Sequence, residues 1–144
     1  MAKYQRILVA IDLTPEGNKV LEQAIDLSQQ YGATLTLVNV VEHVPSVYSA
    51  ESSFPEIPDI EKQLNEKAEE QLAKIMEEFK VTDSASFIRS GSAKHEIIDL
   101  AKEIETDLIV VGSHGRHGLQ LLLGSTANGI LHLAKCDVLA VRIS

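Results

Sequence analysis

The sequence predicts an α/β fold: a single doubly wound sheet of five parallel strands in the order 3-2-1-4-5, with helices on both faces. Three observations predict it. Ile7, Leu8, Val9 and Ala10, and later Leu108, Ile109, Val110 and Val111, are unbroken apolar runs rich in β-branched residues. Such runs belong to strands buried on both faces. Between the strands lie longer stretches whose apolar residues recur every three to four positions, the period of an amphipathic helix. The two kinds of element alternate β-α-β-α-β-α-β-α-β without an internal repeat, the pattern of a parallel sheet. Right-handed crossovers and a central first strand then give the order.

The first strand is expected over Tyr4 to Ala10, with Asp12 just past its end. Thr14 is an N-cap residue, Pro15 suits the first helical position and Glu16 complements the positive helix end. That helix runs to about Tyr31, with Val20, Leu21, Ala24, Ile25, Leu27 and Ser28 on its inward face and Gly32 just past its end. Ala33 to Val40 is the second strand. Val41 to Pro58 carries Pro45, Pro55 and Pro58 and reads as a flap over the open end of the sheet, or as a surface excursion.

Asp59 to Lys80 is the longest helix, its stripe running through Ile60, Leu64, Ala68, Leu72, Ile75 or Met76, and Phe79. Its many glutamates make a solvated face. Ser84 to Arg89 is less apolar, as suits an edge strand. Ser92 is an N-cap for a helix that turns Ile97, Ile98, Ala101 and Ile104 inward. After the fourth strand, Gly112, Gly115 and Gly118 recur at a spacing of three, and Gly124 is followed by Ser125 and Thr126, both N-cap residue types. A helix follows, over Ala127 to Ala134, and Val138 to Ile143 is the last strand.

At 144 residues the chain is most simply one domain, 1–144. A net charge of −8 argues against nucleic acid and against an anionic membrane surface as partners. No run reaches the ~18 apolar residues of a membrane span. The N-terminal residues lead into a strand without a signal-peptide apolar region. One cysteine, Cys136, allows no internal disulfide, and with it a cytoplasmic location is expected.

Strand, glycine loop and helix N-terminus are the parts of a phosphate cradle, because free N–H groups and the helix dipole favour an anion there. The spacing is neither a Walker loop nor a dinucleotide fingerprint. The alternative is a glycine-rich connection without chemistry. The strand order adds weight, since strands one and four are neighbours whose following helices take opposite faces. Ligands in such sheets bind in that crevice. Asp12 and Gly112 close its two sides. Asp12 can accept hydrogen bonds from a ribose or an adenine amino group, or help hold Mg²⁺; its plainer role is a turn aspartate before Thr14.

Gly112-Ser-His-Gly115 followed by Gly124-Ser125 resembles the nucleotide-binding pattern G-x2-G-x9-G-(S/T) of the universal stress protein family. Arg6 to Asp12 resembles the family's first strand, and Lys135 to Arg142 its last. The resemblance implies binding of ATP or AMP, with Mg²⁺ accompanying ATP. Ala10 and Val41 would line the adenine pocket, and Val111, Gly112, Gly115, Gly124, Ser125 and Thr126 would surround ribose and phosphates. It also implies a homodimer paired through Val138 to Ile143, and a regulatory role in stress response through a protein partner. One departure is plain: eight residues, Arg116 to Leu123, separate Gly115 from Gly124 where the pattern has nine. One residue less swings a helical segment by about 100°, unless a loop absorbs it. A dimeric interaction module that binds no nucleotide is the reading this departure favours. Slow ATP hydrolysis or autophosphorylation at Ser125 or Thr126 is a third, weakened by the missing P-loop lysine and base. His114 and His117 alone make a poor metal pair.

Overall fold

The computed structural model describes residues 3–42, 57–113 and 124–143, with 57–59 as backbone only. Its sheet has five parallel strands in the order β3-β2-β1-β4-β5. The strands are β1 (Arg6–Ala10), β2 (Thr34–Val41), β3 (Ala85–Ser90), β4 (Leu108–Gly112) and β5 (Asp137–Val141). The helices are α1 (Asn18–Tyr31), α2 (Ile57–Glu78), α3 (Ala93–Glu103) and α4 (Ser125–Leu133), and a single 3₁₀ turn, Pro15–Gly17, precedes α1.

The alternation of side chains along the central strands builds two cores. Ile7 and Val9 of β1 join Leu108 and Val110 of β4 beneath Val20, Leu21 and Ala24 of α1 and Leu72 and Met76 of α2. Leu8 and the β4 residues Ile109 and Val111 point the other way. They pack with Ile97, Ile98, Leu100 and Ala101 of α3 and with Ala127 and Ile130 of α4. A one-residue slip in β1 or β4 would move each set to the wrong core, so both registers are strongly specified. The helices that follow β1 and β4 lie on opposite faces, and the crevice between those two strands therefore opens at their carboxyl ends.

Several ends form as the residue types dictate. Thr14 caps the 3₁₀ turn by accepting from Gly17 N–H, with Pro15 at the first position. Gly32 ends α1 in the left-handed conformation at φ 63°, where a side chain would be strained. Ser92 stands at the N-cap of α3, as expected, but makes no capping bond; its hydroxyl meets His95 Nδ1 at 3.1 Å instead. One expectation is corrected. The N-cap of α4 is Gly124, and Ser125 is already helical. The greater part of the expected flap, 43–56, lies outside the described residues.

Candidate functional site

β1 leaves the sheet through a short anchored exit. Ile11 N–H donates to Val38 O at 2.9 Å. The Ile11 carbonyl accepts from the Asn39 side chain at 2.8 Å, within a buried environment. Both backbone polar groups of Ile11 are thus held from β2. The next residue, Asp12, is half-buried, and its Oδ1 accepts twice from Thr14: from the backbone N–H at 3.1 Å and from the hydroxyl at 2.6 Å.

The Thr14 hydroxyl in turn accepts from Gly17 N–H at 3.2 Å. Leu13, between Asp12 and Thr14, adopts φ 63°, a left-handed conformation that costs a bulky residue about 1–2 kcal/mol. The strain bends the chain sharply enough for the carboxylate to fold back over the turn. Both of the Thr14 bonds go to Oδ1, and Oδ2 takes no part in them.

β4 ends at Gly112, paired with Val141. Ser113 is buried, its N–H donates to Val141 O at 2.8 Å, and its carbonyl accepts from Gly124 N–H at 2.7 Å. The two ends of the glycine-rich segment are therefore joined, and α4 starts at the end of β4. Its phase is fixed by Ala127 and Ile130 in the core. The shortened spacer lies between these two anchored ends. Because glycine occupies the N-cap, that residue offers no side-chain acceptor to the first N–H groups of the helix, which keep the partial positive charge of the helix end.

The other sequence-predicted residues fall at the same end of the sheet. Ala10 is the half-buried last residue of β1, opposite Val38. Val41 ends β2 opposite Ser90, and its carbonyl accepts from Gly91 N–H at 3.0 Å. Val111 is buried among α3 and α4 residues. Ser125 is exposed and Thr126 half-buried on the first turn of α4. Gly115 lies outside the described residues, as do His114, Arg116 and His117. Asn39 and Gly17 escaped the sequence reading: the first sits in a strand pattern, the second in what reads as a helical turn.

Among the described residues, no group of three or more His, Cys, Asp and Glu side chains is placed to hold a metal ion. Mg²⁺ at this crevice would have to share its coordination with a ligand's phosphates, Asp12 supplying one carboxylate. Cys136 is half-buried, and burial, then the neighbouring Asp137 and Asp107, raise its thiol pKa. That direction disfavours the thiolate, the form a nucleophile needs.

The chain is thus a doubly wound α/β protein whose crevice is bounded by an anchored aspartate and a helix N-terminus. The model of the universal stress protein family matches residues 3–142, and the chain belongs to that family. Universal stress protein A homolog 2 of Coxiella burnetii is 45% identical over 144 residues, which cover 99% of this chain and 98% of that protein. The solved universal stress protein UspA from Lactobacillus plantarum superposes with a TM-score of 0.74 at 29% identity, over 99% of this chain and all of that one. A universal stress protein solved in complex with cAMP shares the fold, with a TM-score of 0.64 at 23% identity and 98% coverage of both chains.

Proposed function

We propose that this protein is an adenine-nucleotide-binding regulator in stress response, taking ATP or AMP in the crevice between β1 and β4. The observation that carries the reading is the bond from Gly124 N–H to Ser113 O at 2.7 Å. It keeps the α4 N-terminus docked beside the end of β4 although the spacer is one residue short. The residues fit a nucleotide chemically. Asp12 Oδ2 accepts from a ribose hydroxyl or an exocyclic amine, while Ala10 and Val41 offer apolar walls and backbone atoms to a base. The first N–H groups of α4 with Ser125 and Thr126, together with Gly112 and Gly115, receive the phosphates. That a structural relative was solved with cAMP supports an adenine ligand.

Without a P-loop lysine the affinity is modest, about micromolar, corresponding to roughly −8 kcal/mol. The protein acts as a homodimer through β5. Leu131 and Leu133 on α4, beside that strand, are each 44% exposed, and an open edge strand invites pairing. Its compartment is the cytoplasm, which agrees with one free cysteine, and no described helix is long and apolar enough to cross a membrane. Nucleotide occupancy would be passed to a protein partner.

Calorimetric titration of nucleotide-stripped protein with ATP and Mg²⁺, with GTP as control, tests the reading. Saturable heat with ATP and little with GTP is expected. Absence of heat and of thermal stabilisation at millimolar ATP would replace it with the second reading, a dimeric interaction module, which the shortened spacer favours.

A further inference from the structure

We infer that Thr14 aims Asp12, and through it sets a requirement for a hydrogen-bond donor on the ligand. This rests on the nucleotide reading above. An aspartate carboxylate at the end of a strand normally turns about its last bond and presents either oxygen. Here one oxygen is already engaged. The Thr14 hydroxyl donates to Oδ1 at 2.6 Å and the Thr14 N–H at 3.1 Å. Gly17 closes the third side: a Cβ built on it would overlap Oδ1 and come within 3.4 Å of Cγ. Gly17 has an ordinary right-handed backbone and is buried. What demands glycine there is the carboxylate, not the backbone conformation.

The consequence is a carboxylate with a fixed orientation and a single oxygen, Oδ2, for the ligand. An ionised carboxylate only accepts, so the group that meets it must bring an N–H or O–H. A ligand that presents an acceptor at that point leaves both groups unpaired, and mismatches of this kind discriminate more strongly than a missing methylene. Sugar hydroxyls and an exocyclic amine share this donor chemistry. Thr14 is a positioning residue: it acts through Asp12 and need not touch the ligand.

The test compares wild type with Thr14→Val, which keeps the shape and the backbone N–H but loses the hydroxyl, and with Thr14→Ser, which restores it. Each is titrated with ATP, 2′-deoxy-ATP, 3′-deoxy-ATP and purine riboside triphosphate, which lacks the exocyclic amine. Circular dichroism and thermal melting establish that each variant is folded. Wild type is expected to bind one of the analogues about tenfold or more weakly than ATP, which identifies the donor that meets Asp12. Thr14→Val is expected to weaken ATP about three- to tenfold and to shrink that preference, while Thr14→Ser stays near wild type.

Equal weakening of every analogue would mean Thr14 merely supports the fold, and unchanged ATP binding by Thr14→Val would mean that it does not aim Asp12. Either overturns the inference and leaves the nucleotide reading standing. No binding of any nucleotide by wild type overturns both.

Discussion

Asn39 and Ile11, twenty-eight positions apart, are joined by a 2.8 Å bond from the Asn39 amide to the Ile11 carbonyl. Ile11 has left the strand, so no ladder partner remains for that carbonyl, and a buried amide satisfies it. The bond ties the residue before Asp12 to β2. Asn39→Leu should therefore cost about 1–3 kcal/mol, the penalty of a buried carbonyl without a partner. Asn39→Asp should cost more, because it sets a carboxylate against the carbonyl. Urea unfolding checks this through a lowered midpoint at unchanged slope.

Gly17→Ala separates aim from stability. Alanine suits the right-handed backbone of this position, yet its Cβ overlaps Asp12 Oδ1. The variant should melt within about 1 kcal/mol of wild type while its ATP dissociation constant rises about threefold or more. Parallel melting and calorimetry measure the two effects, and a large loss of stability at wild-type affinity would contradict the assignment.

Lys80 and Glu105 follow helices α2 and α3 with φ of 59° and 56°. In both places the chain reverses with a paired helix end, shown by Val81 N–H on Met76 O and Thr106 N–H on Ala101 O, each 2.9 Å. Both side chains are exposed. Lys80→Gly and Glu105→Gly should each stabilise by about 0.5–1 kcal/mol, the relieved left-handed strain less the extra freedom of the unfolded chain. Thermal melting of the single variants and the double variant also reads their additivity.

Arg89 grips Glu103 with two bonds, 2.7 and 3.2 Å, lies 3.9 Å from Glu96 and stacks over Phe87. The guanidinium holds the Glu103 carboxyl below its ordinary pKa. A depressed carboxylate adds stability above its unfolded pKa and loses it as pH falls through the folded value. Glu103→Gln should therefore lower the melting temperature slightly at neutral pH and have no effect in acid below the carboxylate range. Because Glu103 is exposed, the difference should also shrink as salt is added.

Much of this was legible beforehand because it is local or periodic. Unbroken apolar strands give a parallel sheet, and the alternation of elements gives its order. Thr14, Pro15 and Gly32 act through neighbours in the chain, so their types announce their roles. The anchoring of Asp12 was less legible: Asn39 reaches across strands, and Gly17 is required by a side chain rather than by its own backbone. Gly124 took the cap position from Ser125 because its N–H is claimed by Ser113, a tertiary bond that residue preference does not contain. Ser92 shows the converse, a good capping residue whose hydroxyl found His95.

The outer edge of β5 carries backbone groups that no strand among the described residues pairs. Val141 presents its carbonyl to Ser113 N–H at 2.8 Å, on the β4 side. Backbone groups alternate sides along a strand, so Leu139 also faces β4 while Val138 and Ala140 face the open edge. Proline removes an N–H and is tolerated in edge strands where that N–H points away from the ladder. Ala140→Pro should keep the fold and raise the dimer dissociation constant about tenfold or more if two β5 strands pair across a two-fold axis. Leu139→Pro should instead break the ladder to β4 and lower the stability of the protomer. Sedimentation velocity over a dilution series, with urea unfolding beside it, distinguishes these effects. A dimer of unchanged strength in folded Ala140→Pro would move the seam away from β5 and leave Leu131 and Leu133 to be explained by another contact.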